Sequence, residues 1–257
     1  MKKLNVIILT ILFLIGISLS ASAETTMLEP DDYTGMTLWV VSMACLATTV
    51  FIFVERSSIA LSWRPALTVA GIITGITFVN YLYIRGIWVN TNDLPIIYRY
   101  MEWLITMPLS MITFYFLIAA VRKVSSVIFW KLSIGTIIMV YGGYAGEAGD
   151  LPAFFGFIIW MVGWIFILYE VHSGDAGRLI ERSSNRSLTS AFGTMRMIVT
   201  IGWAVYPLGY AFGPALTATI DSDTLNIIYN FADLINKIAF ALVVWNVAIA
   251  NTSGSRR

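Results

Sequence analysis

Seven runs of apolar residues, each long enough to cross a hydrocarbon layer, follow one another between residues 33 and 250. Their limits predict helices over 33–54, 65–85, 95–120, 126–145, 152–172, 188–212 and 224–250, joined by short polar connections. The pattern implies an all-α membrane protein, a seven-transmembrane-helix bundle. Ahead of it, Lys2 and Lys3, the apolar stretch Val6 to Leu19 and the small residues Ala21-Ser22-Ala23 read as a signal peptide over 1–23. A first membrane anchor with the same charged flank is the alternative. The expected organisation is then an extracellular lead over 24–32, a seven-helix domain over 33–250 and a cytoplasmic tail over 251–257. No appended soluble domain and no internal repeat is evident.

Polar residues interrupt two of the runs. The seventh carries Asp233 and Lys237, four apart and so on one helical face. Charges at that depth are costly and rarely survive without a pairing or functional reason. A lysine amine sheltered from water is nucleophilic enough to form a Schiff base with an aldehyde. A buried ion pair that only fixes helix packing is the other reading. The third run carries Arg99, Glu102, Thr106 and Thr113 on one stripe, with Ser110 beside it. Such a stripe faces the protein interior, where Glu102 and Asp233 can flank one cation while Arg99 balances the pair. Trp103 adjoins Glu102, and Trp203, Tyr206, Pro207 and Tyr210 share roughly one face of the sixth run. An aromatic stripe is more often core than cofactor box, but a flat apolar ligand would fit between these rings.

Composition agrees with the pattern. Hydrophobic residues make up 58% and charged residues 12%, where a soluble domain is about a quarter charged. A net charge of +1 gives no argument for a nucleic-acid partner. Cys45 is the single cysteine and His172 the single histidine, both read as structural, and no metal-ligand spacing occurs. With neither a catalytic triad nor a phosphate-binding glycine loop, the chain is not read as an enzyme. The connections after the first, third and fifth runs hold Arg56, Arg64, Arg122, Lys123, Lys131, Arg178, Arg182 and Arg186. The alternate ones hold Arg85 with Asp93, Glu147, Asp150, Asp221 and Asp223. The positive-inside rule therefore puts the C-terminus in the cytoplasm and the mature N-terminus outside. The longest connection, Ser173 to Ser187, reads as a solvated linker.

Taken together, Arg99-Tyr100-Met101-Glu102-Trp103-Leu104-Ile105-Thr106-Met107-Pro108-Leu109, Trp203-Ala204-Val205-Tyr206-Pro207 and Asp233-Leu234-Ile235-Asn236-Lys237 resemble the microbial rhodopsins, above all the proteorhodopsins. Phe53-Val54-Glu55-Arg56, Gly146-Glu147-Ala148-Gly149 and Trp245-Asn246-Val247-Ala248 add to the likeness, which runs from about Asp32 to Ala250. The resemblance implies all-trans retinal bound as a Schiff base on Lys237, with Glu102 as proton acceptor and primary counterion. It makes Asp233 the second counterion and Arg99 the balancing charge. Trp103, Met107, Ser110, Trp203, Tyr206, Pro207 and Tyr210 fall at retinal-binding positions, Ser110 at one that tunes colour. The bacterial inner membrane, a lipid bilayer around the bundle and a homo-oligomer (pentamer or hexamer) follow by the same analogy, with Trp39 at the expected protomer contact.

Several positions depart from the family's pattern. Glu102 replaces the usual aspartate, keeping the carboxylate and adding a methylene of reach. Thr113 stands where proteorhodopsin pumps carry a carboxylic proton donor, so reprotonation would come from bulk solvent and the late photocycle is expected to be slow. Asn80 replaces a histidine that hydrogen-bonds the counterion. Phe157 stands where carotenoid-antenna rhodopsins have glycine, which argues against an antenna, although Gly156 lies beside it. A light-driven outward proton pump is the leading expectation, and a slow photosensor signalling to a transducer is the second. Chloride transport conflicts with Glu102, sodium transport lacks its Asn-Asp-Gln pattern, and a receptor for a diffusible ligand leaves Asp233 and Lys237 unexplained.

Overall fold

The computed structural model describes residues 29–254, so the signal-peptide expectation lies outside the described residues. Seven membrane-length helical segments are present among them, and no strand. The first five and the last are dominated by α1 (Tyr33–Glu55), α2 (Arg64–Thr91), α3 (Ile97–Ala119), α4 (Ser126–Glu147), α5 (Ala153–His172) and α9 (Ser222–Gly254). A short helix, α6 (Asp175–Glu181), precedes the sixth. The sixth segment itself is composite: α7 (Arg186–Met197), a π-helical turn (Ile198–Gly202) and α8 (Val205–Phe212). Neighbours in sequence pack side by side, and α9 closes the bundle against α1, α2 and α7.

Local chemistry sets the helix ends. Asp32 caps α1 by accepting the Gly35 amide at 2.7 Å, and the same carboxylate accepts the Trp88 indole N–H at 2.8 and 2.9 Å. One side chain thus starts α1 and ties it to the end of α2. Pro65 begins α2, where its missing N–H costs nothing, and Asn92 ends it in the left-handed region at φ 51°. Asn185 caps α7 through the Leu188 amide at 3.0 Å.

The tightest helix pair is α4 and α5. A Cβ on Gly143 would overlap the Trp160 ring, and Gly142 faces Ile159. Gly146 and Gly156 oppose one another so closely that a Cβ on Gly156 would stand 2.6 Å from Gly146 Cα. Small residues that let backbones approach are the usual means of helix association in a membrane, where lipid and side chains are equally apolar. Gly156 is consumed by this contact, and Phe157 stacks on Tyr210 at 5.9 Å.

Four expectations need correction. The second helix runs six residues further than 85, because no breaker intervenes before Asn92. Arg85 therefore lies within a helix, its guanidinium 5.3 Å from the centre of the Trp39 ring. The connection 173–187 is not simply a solvated linker, since α6 within it buries Ala176, Gly177 and Ile180. Buried Glu170 holds that helix by accepting the Asp175 amide at 3.0 Å, and Lys131 bridges to Asp175 at 2.6 Å. The last helix continues to Gly254, four residues past the expected limit of 250.

The glycine seam generates a test. Gly156→Ala should lower the thermal midpoint of the detergent-solubilised protein, because overpacking a close contact costs roughly 1–3 kcal/mol. Gly86→Ala, which meets nothing within 4 Å, should leave it unchanged or raise it. Equal midpoints for the two variants would show that the seam is not tight.

Candidate functional site

The stripe on α3 does face inward: Arg99, Glu102, Thr106, Ser110 and Thr113 are all buried. On α9, Asp233 and Lys237 meet it. The Lys237 Nζ donates to both oxygens of Glu102, at 2.6 and 2.8 Å, and lies 3.0 Å from Asp233 Oδ1. Burying an unpaired charge is prohibitive, so an amine at this depth requires such partners. Two acids and one amine leave an excess negative charge, which buried Arg99 offsets.

Arg99 does not pair directly with either carboxylate. Its guanidinium donates to Asn226 Oδ1 at 3.0 and 2.8 Å, to the Asn226 carbonyl at 3.2 Å and to Asn230 Oδ1 at 2.7 Å. Its remaining donor reaches the Tyr81 hydroxyl at 3.1 Å, and that hydroxyl donates to Asp233 Oδ2 at 2.7 Å. The asparagines are themselves anchored, Asn226 to the Leu94 carbonyl at 3.0 Å and Asn230 to Thr37 Oγ1 at 2.8 Å. Arg99 thus acts on Asp233 at one remove, through a phenol. Tyr206 supplies a second phenol, donating to Asp233 Oδ1 at 2.7 Å. Asp233 is held by two hydroxyls and the amine, a set that stabilises a carboxylate.

Glu102 receives its further hydrogen bond from Thr77, whose hydroxyl donates to Oε1 at 2.7 Å. Asn80, noted from the sequence as a departure near the counterion, makes no side-chain hydrogen bond, and its buried Nδ2 has no partner. One helical turn separates the two, and the turn decides which one reaches the acid. Thr106, Ser110 and Thr113 return their hydroxyls to their own helix, on the carbonyls of Glu102, Thr106 and Leu109. Beyond them Phe114, Leu117, Phe192, Met195, Phe240 and Val244 are buried.

An aromatic cluster adjoins the acids through Tyr206, whose hydroxyl bonds Asp233. Trp103 is fully buried, with ring centres of Tyr206, Tyr229 and Trp160 at 4.9, 5.4 and 6.1 Å. Met107, Trp203, Pro207 and Tyr210 are buried too, the last donating to the Ala153 carbonyl at 2.9 Å. Sequence reasoning missed Thr77, Tyr81, Asn226 and Asn230. A signal existed for the α2 pair: Thr74, Thr77 and Tyr81 share one face at intervals of three and four.

Comparison with known proteins now bears on this geometry. The sequence model of the family described as Bacteriorhodopsin-like protein matches residues 32–251. This chain belongs to that family of microbial rhodopsins. The rhodopsin is 43% identical over 229 residues to the blue-light absorbing proteorhodopsin of Gamma-proteobacterium Hot 75m4, covering 89% of this chain and 91% of the relative. It is 42% identical to the green-light absorbing proteorhodopsin of Gamma-proteobacterium EBAC31A08, at the same two coverages. The crystal structure of blue light-absorbing proteorhodopsin from Med12 superposes with a TM-score of 0.72 and 43% identity, over 86% of this chain and all of that one.

Members of the family bind retinal through a Schiff base to a lysine. The residues present fit that group. Lys237 offers a buried amine, and two acids stand ready to balance its charge when it is tied up in a cationic linkage.

Tyr81 carries a prediction. Tyr81→Phe removes the hydroxyl shared by Arg99 and Asp233, leaving a buried donor and a buried acceptor short of partners, a loss of about 1–3 kcal/mol. Unfolding of the detergent-solubilised protein should show that loss. A variant as stable as the parent would mean that Arg99 acts on Asp233 by another route.

Proposed function

We propose that this rhodopsin is a light-driven outward proton pump, with retinal carried on Lys237 and Glu102 as the acceptor of the proton. The observation that carries the reading is the contact of Lys237 Nζ with both Glu102 oxygens at 2.6 and 2.8 Å. Held on Lys237, retinal would supply light absorption and the change of shape that loosens the amine's proton. Glu102 stands within hydrogen-bonding reach of that proton, as a base must be. Thr77 orients the acceptor by its bond to Oε1. Asp233, tied by Tyr81 and Tyr206, keeps its negative charge beside the amine throughout. Arg99, clamped by Asn226 and Asn230, holds positive charge on the side away from Thr113.

The direction follows from the charge pattern. Arg178, Arg182 and Arg186 fall near α6, which is assigned to the cytoplasmic face, and the mature N-terminus to the outside. With Thr113 at the donor position, the amine is resupplied from solvent through the apolar region around Phe114 and Phe240. A hydroxyl already given to the Leu109 carbonyl releases no proton at physiological pH, so the late recovery is slow. That same feature favours the second reading, a slow photosensor acting on a transducer. Residence in the bacterial inner membrane and assembly into rings are proposed on the likeness to proteorhodopsins. Trp39, half-exposed, stays available for a protomer contact.

Illumination of unbuffered cells supplied with retinal should acidify the medium, and a protonophore should abolish the change. A visible photocycle without any pH change would decide for sensing. Lys237→Ala should yield no pigment, whereas Glu102→Gln should yield a pigment that moves no protons. Pumping by Glu102→Gln would remove Glu102 from the path. Thr113→Glu should hasten the final recovery at alkaline pH, by supplying the internal acid. An unaltered recovery would mean that another group already donates.

A further inference from the structure

The sixth membrane segment is broken at the level of the site, and the break follows from the backbone's hydrogen bonds. In a regular α-helix the Trp203 amide would take the Val199 carbonyl. It takes Ile198 instead, at 3.0 Å, five residues back. The Val199 carbonyl accepts the Trp164 indole N–H from α5, also at 3.0 Å. One turn on, Pro207 has no N–H to give the Trp203 carbonyl. The Tyr206 amide takes that carbonyl at 3.1 Å and so abandons Gly202. The Gly202 carbonyl is recovered by Asn236 Nδ2 at 3.0 Å. A Cβ on residue 202 would overlap Asn236 Oδ1, so glycine is what allows the approach. π-Helical turns recur at functional sites, and here side chains from two other helices stabilise one.

Asn236 directly precedes Lys237, and its amide does a second thing. The same Nδ2 lies 3.2 Å from the Tyr206 hydroxyl, the group that donates to Asp233 Oδ1. One amide therefore touches both the released backbone carbonyl and the phenol holding the counterion. We infer that Asn236 is a positioning residue that couples the π-helical turn to Asp233 through Tyr206. A shift in that backbone moves the amide and, with it, the hydroxyl that Asp233 relies on. Conversely, a change of charge at Asp233 or Lys237 alters the pull on the Gly202 carbonyl. The consequence for the light reaction rests on Lys237 being the retinal lysine; the mechanical link itself does not.

Two measurements separate these parts. In retinal-free protein, Asn236→Ala should speed amide hydrogen exchange across residues 198–206 by about tenfold, the loss of one hydrogen bond of about 1.4 kcal/mol. Unchanged exchange would overturn the link to the turn, whether or not a pigment forms. In the pigment, Asn236→Ala should displace the visible band and the pH at which that band titrates. The same substitution in a Tyr206→Phe background should displace neither further. Equal displacements in the two backgrounds would mean that Asn236 acts otherwise than through Tyr206, overturning the coupling. Failure of the parent chain to form a pigment would defeat the retinal reading alone, with the exchange result still deciding the link.

Discussion

A charged amine in the middle of an apolar bundle is the constraint to which the remaining polar residues answer. Lys237 is tolerated because Glu102 and Asp233 come within 3.0 Å of it. Those two acids are tolerated in turn because Thr77, Tyr81 and Tyr206 satisfy their other lone pairs. Arg99 completes the balance and needs Asn226 and Asn230 to occupy its remaining donors. Removing a charged member would leave an opposite charge short of its partner, which in a buried site is commonly worth about 3–5 kcal/mol, whereas losing a neutral one costs only a hydrogen bond. The cluster draws on α2, α3, α8 and α9, so the same bonds that neutralise the centre hold four segments in register.

Around this centre the polar side chains are linked to one another more densely on one side than on the other. The half containing Arg99 is cross-linked by hydrogen bonds running out to Leu94 and Thr37. Beyond Thr113, Phe114 packs edge to face on Phe192 and at a tilt on Phe240. Glu102 thus has a chain of polar neighbours on the first side, through Lys237, Asp233 and Tyr81 to Arg99. Such an asymmetry would suit the directional transfer proposed above.

The walls of the site depend on packing that carries no charge. The α4–α5 glycine seam brings Trp160 against Trp103 and Tyr100, closing the aromatic enclosure on one side. On the other side the π-helical turn adjoins Trp203 and the Tyr206 hydroxyl, with Trp164 and Asn236 on the displaced carbonyls. Regular helices alone would not reproduce this arrangement, because the bulge resets the facing of every residue after it.

By itself the amino-acid sequence determined the seven spans, the burial of the α3 stripe, and the pairing of Lys237 with Glu102 and Asp233. Hydropathy and helical period are local properties, and a buried charge obliges a partner of opposite sign. Which neutral groups complete the cluster was decided only in three dimensions. Thr77, and not Asn80, reaches Glu102, and Tyr81 stands between Arg99 and Asp233. Hydroxyls and amides are unremarkable in a chain until rotation and spacing of helices far apart in sequence bring them within about 3 Å of an acceptor. The break in the sixth segment was equally hidden, since it depends on α5 and α9 supplying donors to the carbonyls it frees from the helix.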